Sequence, residues 1–357
     1  MNAQKVVAVG LSGGVDSTIS AYLLKKQGYK VFGLFMKNWQ DDASDCTAKK
    51  DFEDVVKTCE KLEIDYYSIN FEKEYFEDVF SKCLKDFKFG ITPNPDILCN
   101  KEIKFKLFLK KAIDLGADFL ATGHYAQKSL INENYHLLKG KDLNKDQSYF
   151  LYTLKSSILK KVLFPIGDLT KTEVRKIAKE QNFLNHAKKD STGICFIGKR
   201  KFTQFLSKFI SSNPGPIKTL DGDIKAEHMG LSFYTIGQRK GLEVGGKGDA
   251  WYVAKKDLKT NTLFISQGKN HPSLFSKSLI AHNLTWVVDD FDIKLPMGLK
   301  AKVRYRQIEQ ECTIEKIEND QVHVSFREPQ RAITEGQSIV FYQDDICLGG
   351  AIILKTF

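Results

Sequence analysis

Apolar and polar positions follow helix and strand periods by turns along the first half of the chain. VVAVGL (Val6 to Leu11) is a short, unbroken, valine-rich run, the pattern of a strand buried on both faces. STISAYLLKKQG (Ser17 to Gly28) spaces its apolar residues for a helix and stops at Gly28. A strand over KVFGLFM (30–36), a helix over DFEDVVKTCEKLE (51–63), a strand over DYYSIN (65–70) and a charged helix from about Lys73 to Phe89 follow. KEIKFKLFLKKAIDLG (101–116) is a further helix leading into the strand DFLATGHY (118–125), and TKTEVRKIAKEQ (170–181) is a helix that closes this region. Strands alternating with helices predict an α/β fold with a doubly wound parallel sheet, which binds ligands at the carboxyl ends of its strands. SSNPGPI (211–217) breaks the pattern and predicts a linker. Beyond it the chain turns β-like: WYVAKKDLKTNTLFISQG (251–268) predicts a hairpin. From about Ser276, short alternating strands separated by turns predict a small β-barrel.

A chain of 357 residues has room for two or three domains, and the pattern divides it at 1–210, 211–275 and 276–357, the middle part being small. With 42% hydrophobic and 27% charged residues the composition is that of a globular protein, neither disordered nor membrane-spanning. The first strand starts close to Met1, which leaves no space for a targeting peptide and makes a cytoplasmic location the expectation. Seven cysteines form no CxxC pair, so each is expected to be a reduced, buried thiol unless its surroundings argue otherwise. The net charge of +10 suits a polyanionic partner, although a lysine-rich proteome produces the same excess without one.

Three strings carry candidate chemistry. LSGGVDS (11–17) lies in the first strand-to-helix turn, where glycines let backbone N–H groups approach a ligand and the helix N-terminus favours an anion. It is neither a Walker A loop nor Gly-x-Gly-x-x-Gly, and a plain turn capped by Ser or Asp is the alternative. PNPDILCNKEIKF (93–105) sets a proline-stiffened loop before a helix, with Asp96 and Cys99 three residues apart. A thiol there has its pKa lowered by the helix dipole and by cations such as Lys101 and Lys104. The plain alternative makes Asp96 an N-cap and Cys99 a small buried residue. KKDSTGICFIGKRKF (188–202) surrounds Cys195 with Lys188, Lys189, Lys199, Arg200 and Lys201, a setting that favours thiolate and attracts phosphate; a core strand with solvated lysines is the alternative.

SGGVDS resembles the pyrophosphate-loop (PP-loop) signature of the N-type ATP pyrophosphatases, which cleave ATP between the α and β phosphates and adenylate a substrate. With PNPDILCN, TGHY, KDQSYFL (145–151), DSTGICFIG and GQRKGL (237–242) in this order, the chain resembles the bacterial tRNA-specific 2-thiouridylases from end to end. The resemblance implies an adenylating domain, a small central domain and a C-terminal β-barrel that together replace the C2 oxygen of the wobble uridine by sulfur in the tRNAs for Lys, Glu and Gln. It places ATP, with Mg2+, at Gly10, Leu11, Ser12, Gly13, Gly14, Val15, Asp16, Ser17, Met36 and Gly123. It makes Cys99 the catalytic nucleophile, Cys195 the persulfide carrier and Asp96 a catalytic residue of the base-binding loop with Asn94 and Pro95. It assigns tRNA contacts to His124, Lys145, Asp146, Gln147, Tyr305, Arg306 and Gln337. The implied partners are tRNA and a cysteine desulfurase or sulfur-relay protein, and a monomer is expected. Asp96, Cys99 and Cys195 could alternatively ligate an iron–sulfur cluster. A PP-loop ligase acting on a small molecule would leave the cysteine strings and the β-barrel without a task, and the intact SGGVDS argues against an RNA-binding scaffold with a degenerate nucleotide site.

Overall fold

The computed structural model describes residues 4–39, 47–189 and 202–357. Five strands form a parallel sheet in the order Tyr66–Asn70, Lys30–Lys37, Val6–Leu11, Phe119–Ala121, Val162–Leu163. The strand order reverses beside Val6–Leu11, so its carboxyl end and that of Phe119–Ala121 open a crevice between them. Val7, Ala8 and Val9 are fully buried, as the unbroken apolar run demands. The helices Val15–Lys26, Thr47–Leu62 and Lys171–Glu180 match the predicted ones within a few residues. The strand expected over 118–125 is shorter, because the chain leaves the sheet at Thr122 to form the TGHY loop.

Residues 72–88 and 95–114 run as two continuous helices. In the second, Cys99–Phe108 widens to i→i−5 hydrogen bonding, a geometry often found at functional sites. Asn94 is its N-cap and its side chain accepts from Ile97 N at 3.3 Å, with Pro95 in the first turn. The capping role suggested for Asp96 therefore belongs to Asn94.

The middle part holds a four-stranded sheet in the order Trp251–Asp257, Thr262–Gln267, Gly215–Thr219, Ile224–His228. The expected hairpin is present, whereas the supposed linker 211–217 already enters a strand at Gly215. The C-terminal part is a closed six-stranded barrel from Phe275–Trp286 to Ile346–Thr356, whose first and last strands pair. A hairpin from the first part, Ala126–Ile131 and Asn134–Lys139, extends the barrel sheet through Leu137 and Leu138 opposite Cys347 and Ile346. Leu137, Tyr149 and Tyr152 share one apolar core with Val340, Tyr342 and Cys347. Cys83 and Phe87 share another with Ile217, Leu231 and Val253 of the middle part. No helix among the described residues is long and apolar enough to cross a membrane.

Candidate active site

The turn after Val6–Leu11 is shaped by close approach. Gly13 has φ +72°, and a Cβ there would stand 2.5 Å from the carbonyl oxygen of Asp51. A Cβ on Gly123 would fall 2.8 Å from Ser17 N, so the TGHY loop can lie on the start of helix Val15–Lys26 only as glycine. The N-cap of that helix is Gly14, and no side chain caps it. The capped-turn alternative therefore fails, and a helix terminus without a side-chain cap suits an anion. Ser17 Oγ accepts from Ser12 N at 3.2 Å and donates to Gly14 O at 3.1 Å, which fixes the loop from within.

Asp16 is the carboxylate of this loop. Its oxygens accept from Lys171 Nζ at 2.8 Å each, and Oδ1 also accepts from Tyr125 OH at 2.8 Å. Behind the loop Lys188 Nζ donates to Gly13 O at 3.1 Å and to Asp51 and Asp54 at 2.8 and 2.6 Å. Asn185 Nδ2 donates to Gly13 O at 3.3 Å and to Thr18 Oγ1 at 2.9 Å. Lys171 carries no motif of its own; its signal was its place directly after Thr170, at the first position of a predicted helix. Met36 sits near the carboxyl end of its strand, level with the crevice.

The second string lies against this crevice. Phe108 Cε1 would meet a Cβ on Gly10 at 3.0 Å, and the Phe105 ring lies 5.8 Å from that of His124. His124 is buried, its Nδ1 2.7 Å from Thr122 Oγ1, and burial followed by the Lys104 charge drives its pKa well below the usual imidazole value. The same lysine faces Asp96, whose carboxyl burial raises above the usual range while Lys104 pulls it down. The charge of Lys104 thus acts on both Asp96 and His124. Cys99 itself is 2% exposed. Cys195, with the segment 190–201, lies outside the described residues.

Apart from the buried His124, the expected tRNA contacts divide into two groups. Lys145, Tyr305 and Arg306 lie together: Arg306 stands 5.4 Å over the Tyr305 ring, that ring is 4.4 Å from Phe150, and the Lys145 and Arg306 charges both draw the Tyr305 pKa down against a larger upward push from burial. Arg306 is exposed. Asp146, Gln147 and Gln337 are engaged with protein. Asp146 is buried, holding Lys302 of the barrel at 3.1 Å and the N–H groups of Gly140 and Ser148. Gln147 Oε1 accepts from Tyr125 N at 2.9 Å. Gln337 Nε2 donates to the carbonyls of Thr92 and Pro93 at 2.9 and 3.0 Å, and its Oε1 accepts from Asn94 Nδ2 at 3.4 Å.

Family models match the chain in three successive stretches. These are the tRNA methyl transferase HUP domain over residues 5–199, the tRNA methyl transferase PRC-barrel domain over 203–267 and the aminomethyltransferase beta-barrel domain over 276–353. The tRNA-specific 2-thiouridylase MnmA of Protochlamydia amoebophila (strain UWE25) is 53% identical over 356 residues, covering 99% of this chain and 94% of that protein. Its namesake in Proteus mirabilis (strain HI4320) is 53% identical over 359 residues, covering 99% and 98%. Among solved structures, the U34-tRNA thiolase NcsA from Methanococcus maripaludis is similar at a TM-score of 0.37 and 22% identity, over 58% of this chain and 63% of that one, too loosely to carry weight.

Proposed function

The chain belongs to the tRNA-specific 2-thiouridylase family, and on that premise we propose that it replaces the C2 oxygen of the wobble uridine by sulfur in the tRNAs for Lys, Glu and Gln, using ATP and a persulfide on Cys195. It is a tRNA sulfurtransferase with an ATP-using PP-loop domain. One observation supports the finer reading: the helix that carries Asp96 and Cys99 packs on the PP-loop crevice, its Phe108 against Gly10 and its Phe105 ring 5.8 Å from that of His124. Division of the chain at 210/211 and 275/276 is part of the same proposal.

A uracil C2 oxygen is a poor leaving group, so it must first be activated. Burial makes the Asp96 carboxylate a stronger base than a solvated one, suited to taking the N3 proton of uracil. The C2 oxygen then attacks the α phosphorus of ATP; pyrophosphate leaves toward the Gly13–Asp16 turn, where the N-terminus of helix Val15–Lys26 receives it. Magnesium suits this turn, since Asp16 and phosphate oxygens are the hard ligands it takes; when bound it offsets the charge of the triphosphate. Lys171 holds Asp16 in place for either partner.

The terminal sulfur of the Cys195 persulfide attacks C2 and displaces AMP. The Cys99 thiolate attacks the Cys195 sulfur, breaking the S–S bond to the transferred atom and leaving 2-thiouridine and a Cys99–Cys195 disulfide. N3 regains its proton, and an external thiol reductant supplies the two electrons that restore both cysteines. In the alternative order Cys99 attacks first and releases hydrosulfide, which then attacks C2. The target base must leave the anticodon stack to reach the crevice. The deciding experiment incubates the purified protein with wobble-unmodified tRNA, ATP and a desulfurase charged with labelled cysteine. Labelled 2-thiouridine formed together with AMP supports the reading; ATP cleavage indifferent to tRNA overturns it.

A further inference from the structure

Residues 90–94, the strap that leads into the Asp96–Cys99 turn, are held by all three parts of the molecule. From the middle part, Lys256 Nζ donates to Gly90 O at 2.7 Å. Leu258 lies so close that a Cβ on Gly90 (φ +69°) would meet its Cδ2 at 2.8 Å, and Thr235 Oγ1 is 3.5 Å from Thr92 Oγ1. From the barrel, Glu335 O accepts from Thr92 N at 3.1 Å, while Gln337 takes the carbonyls of Thr92 and Pro93. Position 336, at φ +87°, accepts only glycine, because a Cβ there would collide with Ile91 Cγ2 at 2.3 Å. From its own part, Asp86 O accepts from Ile91 N at 3.0 Å. Few polar groups of the strap's backbone are left to water, so its course is set from outside the domain that owns it.

We propose that Lys256 and Gln337 are positioning residues for the reaction, acting through the strap to aim Asp96 and Cys99 at the target base. The inference rests on the thiolation reading above, and it gives the middle part a task within it. Lys256 is the strongest element. Burial lowers its pKa to about 8 while the Glu335 charge supports the ammonium form, so a mostly desolvated cation is spent on one backbone carbonyl. Gln337, expected to touch tRNA, already has its amide on the strap. Asn94, which Gln337 also touches, caps the helix that carries Asp96. Displacement of the strap therefore moves the helix start, where errors of about an ångström cost on the order of 100-fold in rate.

The test compares Lys256→Met, Lys256→Arg and Gln337→Leu with the parent. Lys256→Met should lower kcat for thiolation at least about tenfold while the KM for tRNA and the Kd for ATP stay within about threefold, and Lys256→Arg should restore most of kcat. Gln337→Leu should show the same split between kcat and KM. In each Met or Leu variant, the rate at which iodoacetamide labels the Cys99 peptide should change at least threefold without substrates. That last readout does not depend on what reaction the protein performs, so a parent that fails to thiolate tRNA sinks the functional reading alone. A folded Lys256→Met protein with parental kcat and parental labelling overturns the inference, as does parallel loss of tRNA affinity and kcat in both lysine variants. If Lys256→Met does not fold, Gln337→Leu decides by the same criteria.

Discussion

The two halves of the proposed catalytic centre are built in opposite ways. The nucleotide crevice is local: one strand-to-helix turn, the neighbouring TGHY loop and a lysine from a nearby helix, all within the first 200 residues. The nucleophile turn is a junction, its approach strap fixed by Lys256 in the middle part and by Glu335 and Gln337 in the barrel. A local site fails when its own residues change. A junction also fails from a distance, with the reacting groups intact.

The largest effects should come from the reacting groups themselves. Cys99→Ser should reduce thiolation on the order of 10^4-fold or more, yet still accept labelled sulfur on Cys195, whereas Cys195→Ser should carry no label and still adenylate tRNA. Mass spectrometry of the Cys195 peptide distinguishes the two; thiolation at the parental rate by Cys99→Ser would refute the two-cysteine scheme. Joint loss of bound iron and activity in both would replace it with a cluster mechanism.

Asp16→Asn should lower tRNA-dependent conversion of ATP to AMP by about 100-fold or more while tRNA binding stays within twofold. It also removes the ion pair that Lys171, only 11% exposed in its side chain, makes with Asp16, which destabilises by up to a few kcal/mol. Adding Lys171→Met should therefore recover the melting temperature without recovering turnover. If the double variant melts no higher than the single one, the pairing of Asp16 with Lys171 contributes nothing to stability.

Asp96→Asn should lose about 100-fold or more in kcat yet match or exceed the parent in melting temperature at pH 8. The sign follows from burial: a folded-state pKa raised above that of a solvated carboxyl means ionisation opposes folding. The stability advantage of the amide should be full at pH 8 and close as the pH falls toward 4. A variant that melts well below the parent at pH 8 contradicts this account.

The smallest effect belongs to Arg306→Ala. Exposed beside Tyr305 and Lys145, it should weaken tRNA binding severalfold and reduce the slope of log affinity against log salt by about 0.7–0.9, one phosphate contact. Parental affinity and slope would remove Arg306 from the interface.

The legible parts of the sequence were those written in neighbouring residues. VVAVGL followed by SGGVDS announces a buried strand, a glycine turn and a helix because each rule spans fewer than about ten positions. The Asp96–Cys99 spacing was readable for the same reason, although the cap falls two residues earlier, on Asn94, than the one suggested at Asp96. Lys171 on Asp16 and Lys256 on Gly90 were not, being 155 and 166 residues from their partners, and a lysine on a helix or strand reads first as a solvated one. The hairpin 126–139 was missed because its two short strands mix polar and apolar residues without clear alternation, and the barrel sheet they join is assembled from residues beyond 275.

That hairpin sets a clock on synthesis. Leu137, Tyr149 and Tyr152 complete their core only against Val340, Tyr342 and Cys347, about 200 residues later in the chain. At elongation rates of about 5–20 residues per second, the first part waits some 10–40 seconds with this apolar face uncovered. The apolar face is covered only once the last barrel strands have been made, so the first part cannot complete its packing before the chain is nearly whole.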